Sequence, residues 1–183
     1  MRAKNVSLVL FLILVCVAIA SAQAIESVYT DYKKCKTLEK DDSAAYFQLS
    51  QCPGVGGYKL LVASGDSRES MEVVTPNGKK YDLYLGEIGG GAFSGLGQRN
   101  EWRVKRQSGK LVPIAMITRF NVAKGPDYQT DNSYLVVTKI TPQQVCRVGE
   151  IDPGPNQNEK ARQMADNSAS MPCYKSINEQ NEQ

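Results

Sequence analysis

Between Ser70 and Leu85 the chain reads SMEVVTPNGKKYDLYL, two alternating segments joined by Pro76-Asn77-Gly78. Met71, Val73 and Thr75 share one face of the first segment. Tyr81, Leu83 and Leu85 share one face of the second, opposite Asp82 and Tyr84. Alternation with a period of two is the pattern of a half-buried strand, and Asn-Gly takes the positive φ angles of a tight hairpin turn. Similar segments recur along the chain, separated by turn signals. Strands are expected over residues 44–49, 58–63, 70–75, 79–85, 101–106, 111–121, 133–140 and 145–151. Pro113 lies within the longest, which implies a bulge or an edge position there. Residues 25–40 are polar with scattered apolar positions and read as an extended arm. Cys52-Pro53-Gly54-Val55-Gly56-Gly57 reads as a loop, because proline and glycine interrupt strands. Asp152-Pro153-Gly154-Pro155 ends the run of strands. Asn156 or Asn158 then caps a helix over 159–168 through its side-chain oxygen, with Ala161, Met164 and Ala165 as a narrow apolar stripe. The expected fold is mainly β: an antiparallel sandwich or small barrel of about seven or eight strands with one C-terminal helix. A single domain over residues 25–177 is expected, with a frayed tail at 178–183.

The N-terminus points to export. Arg2 and Lys4 precede an apolar run over residues 8–20, too short for a bilayer, which needs about 20 residues. Small residues follow at cleavage spacing, Ala20-Ser21-Ala22 and Ala22-Gln23-Ala24. This is the layout of a secretory signal peptide over residues 1–24. Cys16 lies mid-run behind Val15, which is not the setting of a lipid-anchored cysteine. Loss of Arg2 and Lys4 takes the formal net charge from +3 to +1. No basic stripe of the kind that binds nucleic acid is visible. The expected address is periplasmic or secreted, with the membrane met only through the cleaved leader.

Cys35, Cys52, Cys146 and Cys173 remain after the leader. An even set of cysteines in an exported chain reads as a disulfide framework, and four allow three pairings. Cys35–Cys52 and Cys146–Cys173 are favoured because each closes a local loop. The sequence has no C-x-x-C, and no histidine to complete a zinc set.

The lack of histidine also removes Ser-His-Asp and Cys-His catalysis. No G-x-x-x-x-G-K-[ST] motif occurs. Paired carboxylates remain available, since glycoside hydrolysis needs only two acids at a suitable separation. Asp127 and Asp131 beside Asn132 read as a solvated loop and do not match EF-hand spacing. Ser108 and Lys110 read as a turn and not as a Ser-Lys pair. No cofactor and no metal is expected.

Residues 86–102, GEIGGGAFSGLGQRNEW, hold six glycines and the chain's single tryptophan. Gly89, Gly90, Gly91, Gly95 and Gly97 never give G-x-G-x-x-G, and no helix clearly follows. The stretch reads as a bend between strands, where glycine reaches backbone angles closed to other residues. It also offers a candidate recognition surface: Phe93, Arg99, Asn100, Glu101, Trp102 and Arg103. Aromatic and arginine anchors are common at binding hot spots. The competing reading has Phe93 and Trp102 plugging the core, with Glu101 and Arg103 serving as a structural pair.

Several fragments together look familiar: Cys52-Pro53-Gly54-Val55-Gly56-Gly57-Tyr58, Phe93-Ser94, Glu101-Trp102-Arg103, Arg119-Phe120, Ser133-Tyr134-Leu135-Val136-Val137 and Asn158-Glu159-Lys160-Ala161-Arg162. The arrangement resembles a group of uncharacterised exported proteins of Gram-negative bacteria, over most of the chain after the leader. The resemblance implies a periplasmic or secreted address and brings no activity, so no catalytic residue comes with it. Periplasmic lysozyme inhibitors are similar in size and address, but their inhibitory loop has no match here. The function expected is that of a monomeric, non-catalytic binding or envelope-interaction protein, its partner an envelope protein or glycan. The alternatives are a carboxylate-dependent hydrolase of a glycan or cell-wall polymer, and a small periplasmic enzyme inhibitor.

Overall fold

A computed structural model describes residues 23–43, 46–124 and 130–181, without the side chains of residues 130, 131 and 181. Residues 1–22 of the expected leader, Asp127 and the Asp131 side chain lie outside the described residues. Among the described residues, ten strands form two five-stranded antiparallel sheets. The first sheet runs β1 (Ile25–Asp31), β7 (Ser94–Gln107), β8 (Lys110–Lys124), β9 (Thr130–Ile140), β10 (Val145–Ile151). The second runs β2 (Lys36–Asp41), β3 (Phe47–Pro53), β4 (Lys59–Gly65), β5 (Arg68–Val74), β6 (Lys80–Asp82). The chain closes with helices α1 (Gln157–Asp166) and α2 (Ile177–Asn181). Among the described residues, no helix is long and apolar enough to cross a membrane.

The architecture is the sandwich and not the barrel. Leu60, Val62, Met71 and Val73 of the second sheet pack in one core with Trp102, Val104, Met116, Phe120 and Val136 of the first. The strand expected over 79–85 ends at Asp82, and Leu83, Leu85 and Ile88, from the link between β6 and β7, join the same core.

Residues 25–40 are not an arm. They form β1, paired with β7 from Ile25↔Lys105 to Asp31↔Arg99, and β2, paired with β3. This raises the strand count from the expected seven or eight to ten. Neither strand announces itself, because β2 is exposed throughout and β1 has no fully buried residue. Cys52 and Pro53 finish β3 and do not open the loop. Pro113 lies in a central strand and its constraint is met by a bulge. Arg103 faces Ala115 and Val104 faces Pro113, so Ile114 is the extra residue.

The glycine stretch divides in two. Gly89, Gly90 and Gly91 all have positive φ in a turn, while Gly95 and Gly97 already belong to β7. Gly89 is doubly constrained: its φ is +79°, and a Cβ there would run into the Val122 side chain.

Cys35–Cys52 and Cys146–Cys173 are the two disulfides, closing separations of 17 and 27 residues. Loops of this size contribute on the order of 3 kcal/mol each by restricting the unfolded chain. Asn156 occupies the N-cap of α1 but is left-handed, and its side chain makes no capping bond. The helix depends on packing instead. Ala161 and Ala165 meet Ala115, Ile117, Leu135 and Val137 on the outer face of the first sheet. The short helix α2 is reciprocally capped: the Ser176 amide donates to Glu179 Oε2 (2.8 Å), and the Glu179 amide to Ser176 Oγ (3.3 Å).

Gly89→Ala is expected to lower the urea midpoint with an unchanged m-value, a loss of about 1–3 kcal/mol. Unchanged stability would mean that the turn can be rebuilt around a side chain.

Candidate binding cleft beside the helix

The alternation of β7 divides its residues cleanly. Trp102 and Val104 enter the core, while Glu101 and Arg103 take the outer face beneath α1. Glu101 Oε1 and Oε2 accept from Arg162 Nε (2.7 Å) and Nη2 (3.0 Å). Glu101 Oε1 also accepts from Ser27 Oγ at 2.6 Å. Arg103 forms a bidentate pair with Asp166, Nε to Oδ1 at 2.7 Å and Nη2 to Oδ2 at 2.8 Å. The Glu101 and Arg103 side chains retain only 11% and 10% of their exposure, and lie 3.7 Å apart. These four charges clamp the helix to the sheet.

Burial alone would push the Glu101 carboxyl up. The hydrogen bonds from Arg162 and Ser27, with the Arg162 charge, outweigh it and hold the carboxyl below its ordinary 4.5. A depressed carboxyl adds stability above its unfolded value, and that stability is lost as pH falls through the folded value.

Alongside the clamp, a cleft of about 240 Å³ opens between the sheet and the first turns of α1. Ile117 and Leu135 form its floor, each 4% exposed. Its walls carry three arginines. Arg162 is occupied by Glu101 and also donates to the Tyr29 hydroxyl at 3.2 Å. Arg99 lies over the Tyr29 ring, its guanidinium carbon 4.8 Å from the centroid. Arg119 donates to Ser133 Oγ (2.8 Å), Gln157 Oε1 (3.3 Å) and Asn158 Oδ1 (3.4 Å), all neutral oxygens. Among the described residues, no carboxylate forms an ion pair with Arg99 or Arg119. Asp31 is the cross-strand neighbour of Arg99, but its carboxylate turns to accept from the Lys33 amide at 2.7 Å. Gly97 clears the way for Arg119: a Cβ there would lie 2.8 Å from the arginine's own Cβ.

The six residues singled out from the sequence therefore separate. Arg99 is exposed in the cleft, and Glu101 lines it while holding Arg162. Arg103 belongs to the clamp. Trp102 is fully buried, its Nε1 donating to Thr30 Oγ1 at 2.8 Å. Asn100 is 1% exposed, and its Oδ1 accepts from Tyr32 (2.9 Å) and Thr118 (2.7 Å). Burial pushes the Tyr32 phenol well above its ordinary range. Neither Trp102 nor Asn100 presents its side chain to a partner. Phe93 stands apart from the cleft, packed under the Arg68 guanidinium at 5.1 Å. Tyr29, Arg119, Asn158 and Arg162 complete the cleft, and no sequence signal joined them to it, since they come from three separate elements.

A second polar cleft, about 200 Å³, opens between the sheets beside Tyr32, Ser50 and Glu69. Glu69 spans the gap, accepting from Ser64 Oγ (2.8 Å) and the Leu96 amide (2.6 Å). Among the described residues, each of the two clefts is lined by a single carboxylate, Glu69 in one and Glu101 in the other.

The fold and site together define a disulfide-stapled antiparallel β-sandwich with a helix clamped over an arginine-lined cleft. No family model, curated protein or solved structure matches the chain.

Wild-type stability should fall as pH drops through the carboxylate range, and Glu101→Gln should flatten that fall. The same change should cost roughly 1–3 kcal/mol near neutral pH, read from urea midpoints. An unaltered pH profile would show that the Glu101 charge is not what holds the helix.

Proposed function

We propose that this chain is an exported, non-catalytic binding protein whose recognition face is the cleft beside α1, working as a monomer on an envelope protein or glycan. One observation carries the reading. Arg99 and Arg119 are held in one cleft by stacking and by neutral oxygens, and among the described residues no carboxylate is ion-paired to either. The charged groups that serve the fold, Glu101, Arg103, Arg162 and Asp166, neutralise one another. A cation fixed in place but not neutralised suits an external anion, and charge-assisted bonds from arginine are among the stronger ones available.

The export half of the proposal draws on the leader layout of residues 1–24, on the two disulfides and on the motif resemblance to exported proteins of Gram-negative bacteria. Intact-mass measurement of secreted or periplasmic material should give a chain beginning near Gln23 to Ile25. A full-length mass from that compartment would contradict it.

The binding half is tested with Arg99→Ala/Arg119→Ala, using the oxidised chain against envelope extract. Retention of the specific partner should fall at least tenfold. Trp102 fluorescence, reporting on a fully buried ring, should stay at its wild-type value. Equal retention with an intact fold would assign binding to another surface.

A further inference from the structure

We infer that the cleft takes a carboxylate-bearing sugar, so that the ligand is a uronate-containing glycan. This rests on the reading of the cleft as the binding face, and goes further by naming the chemistry of the ligand.

The charge balance comes first. Among the described residues the lining contains Arg99, Arg119 and Arg162 against one acid, Glu101. Glu101 already accepts from Arg162 and Ser27, so the surplus positive charge rests on Arg99 and Arg119. A planar guanidinium fork matches a carboxylate in two parallel hydrogen bonds.

The remaining lining separates one source of carboxylate from another. A sugar acid carries several hydroxyl donors on the same ring as its carboxylate, whereas an acidic peptide offers one backbone N–H per residue, set back from the carboxylate by the side chain. The cleft supplies acceptors for such donors in Asn158 Oδ1 and the Tyr29 hydroxyl. Ile117 and Leu135 at its base are each only 4% exposed, so a ligand meets the polar walls. A bare phosphate would leave those acceptors unused. At about 240 Å³ the cleft is smaller than the roughly 300–1,000 Å³ sites that enclose drug-sized ligands. It accommodates one ring, with the polymer running on across the exposed edge at Tyr29, which is 45% exposed.

The test is calorimetric titration of the full oxidised chain at low salt with four probes: an oligogalacturonate, its carboxyl-reduced neutral form, poly-glutamate and inorganic phosphate. The oligogalacturonate should bind, and its affinity should fall as salt rises. Carboxyl reduction should weaken binding at least tenfold, and so should Arg99→Gln/Arg119→Gln. Poly-glutamate or phosphate binding as tightly as the uronate would overturn the ligand class. No uronate binding, with envelope capture still abolished by the double arginine variant, would refute the sugar while keeping the cleft. Envelope capture unaffected by that variant would refute both.

Discussion

Glu101 and Arg103 stand two residues apart on β7, and Arg162 and Asp166 stand four residues apart on α1. Two residues along a strand advance about 6.7 Å, and four along a helix about 6 Å. The two spacings match, so a pair on the strand can meet a pair on the helix. The order of charges then fixes direction: Glu101 takes Arg162 and Arg103 takes Asp166. With the helix reversed, Glu101 would face Asp166 and Arg103 would face Arg162. Ala161 and Ala165 provide the apolar contact, and the charges choose how it is made. Everything on the outer face follows from that placement, including the cleft left open at the helix's first turns.

The clamp also explains why two charged groups on one strand have unlike roles. Arg103 is nearly enclosed and bidentately paired, so its charge is satisfied within the fold. Arg99, four residues earlier and past the end of the clamp, is stacked on Tyr29 and exposed. Arg119 is fixed from the other side by Ser133, Gln157 and Asn158, none of which can cancel its charge. A rigid sheet presents one guanidinium and a helix terminus braces the other. Such preorganisation lowers the ordering cost that a flexible arginine would incur on binding.

Much of the fold was legible in the sequence because its cues were local. The hairpin at Asn77-Gly78, the alternation around Trp102, the irregularity at Pro113, the helix after Pro155 and both disulfide pairings depend on neighbours in the chain, although only Gly78 and not Asn77 takes the positive φ expected of the turn. What escaped depended on partners far along it. β1 and β2 carry polar residues on both faces, since one lies across charged outer residues and the other is an exposed edge. The candidate site was half legible for the same reason. Arg99 and Glu101 stand out within a glycine-rich stretch. Tyr29, Arg119 and Arg162 join them only when β1, β8 and α1 converge, a juxtaposition set by tertiary packing. Asn100 illustrates the opposite error: a polar residue in a loop-like sequence that is buried, with Tyr32 and Thr118 donating to its oxygen.

The central claim is that the cleft beside α1 is where this protein meets its ligand, with the clamp left undisturbed. Arginine Nε–Hε and amide NMR spectra during titration with an oligogalacturonate test it most directly. The account predicts shifts at Arg99, Arg119, Tyr29 and Asn158, with the Arg103 resonance unmoved. Shifts centred instead on the apolar groove of about 660 Å³ lined by Tyr58, Leu111 and Pro113 would contradict it.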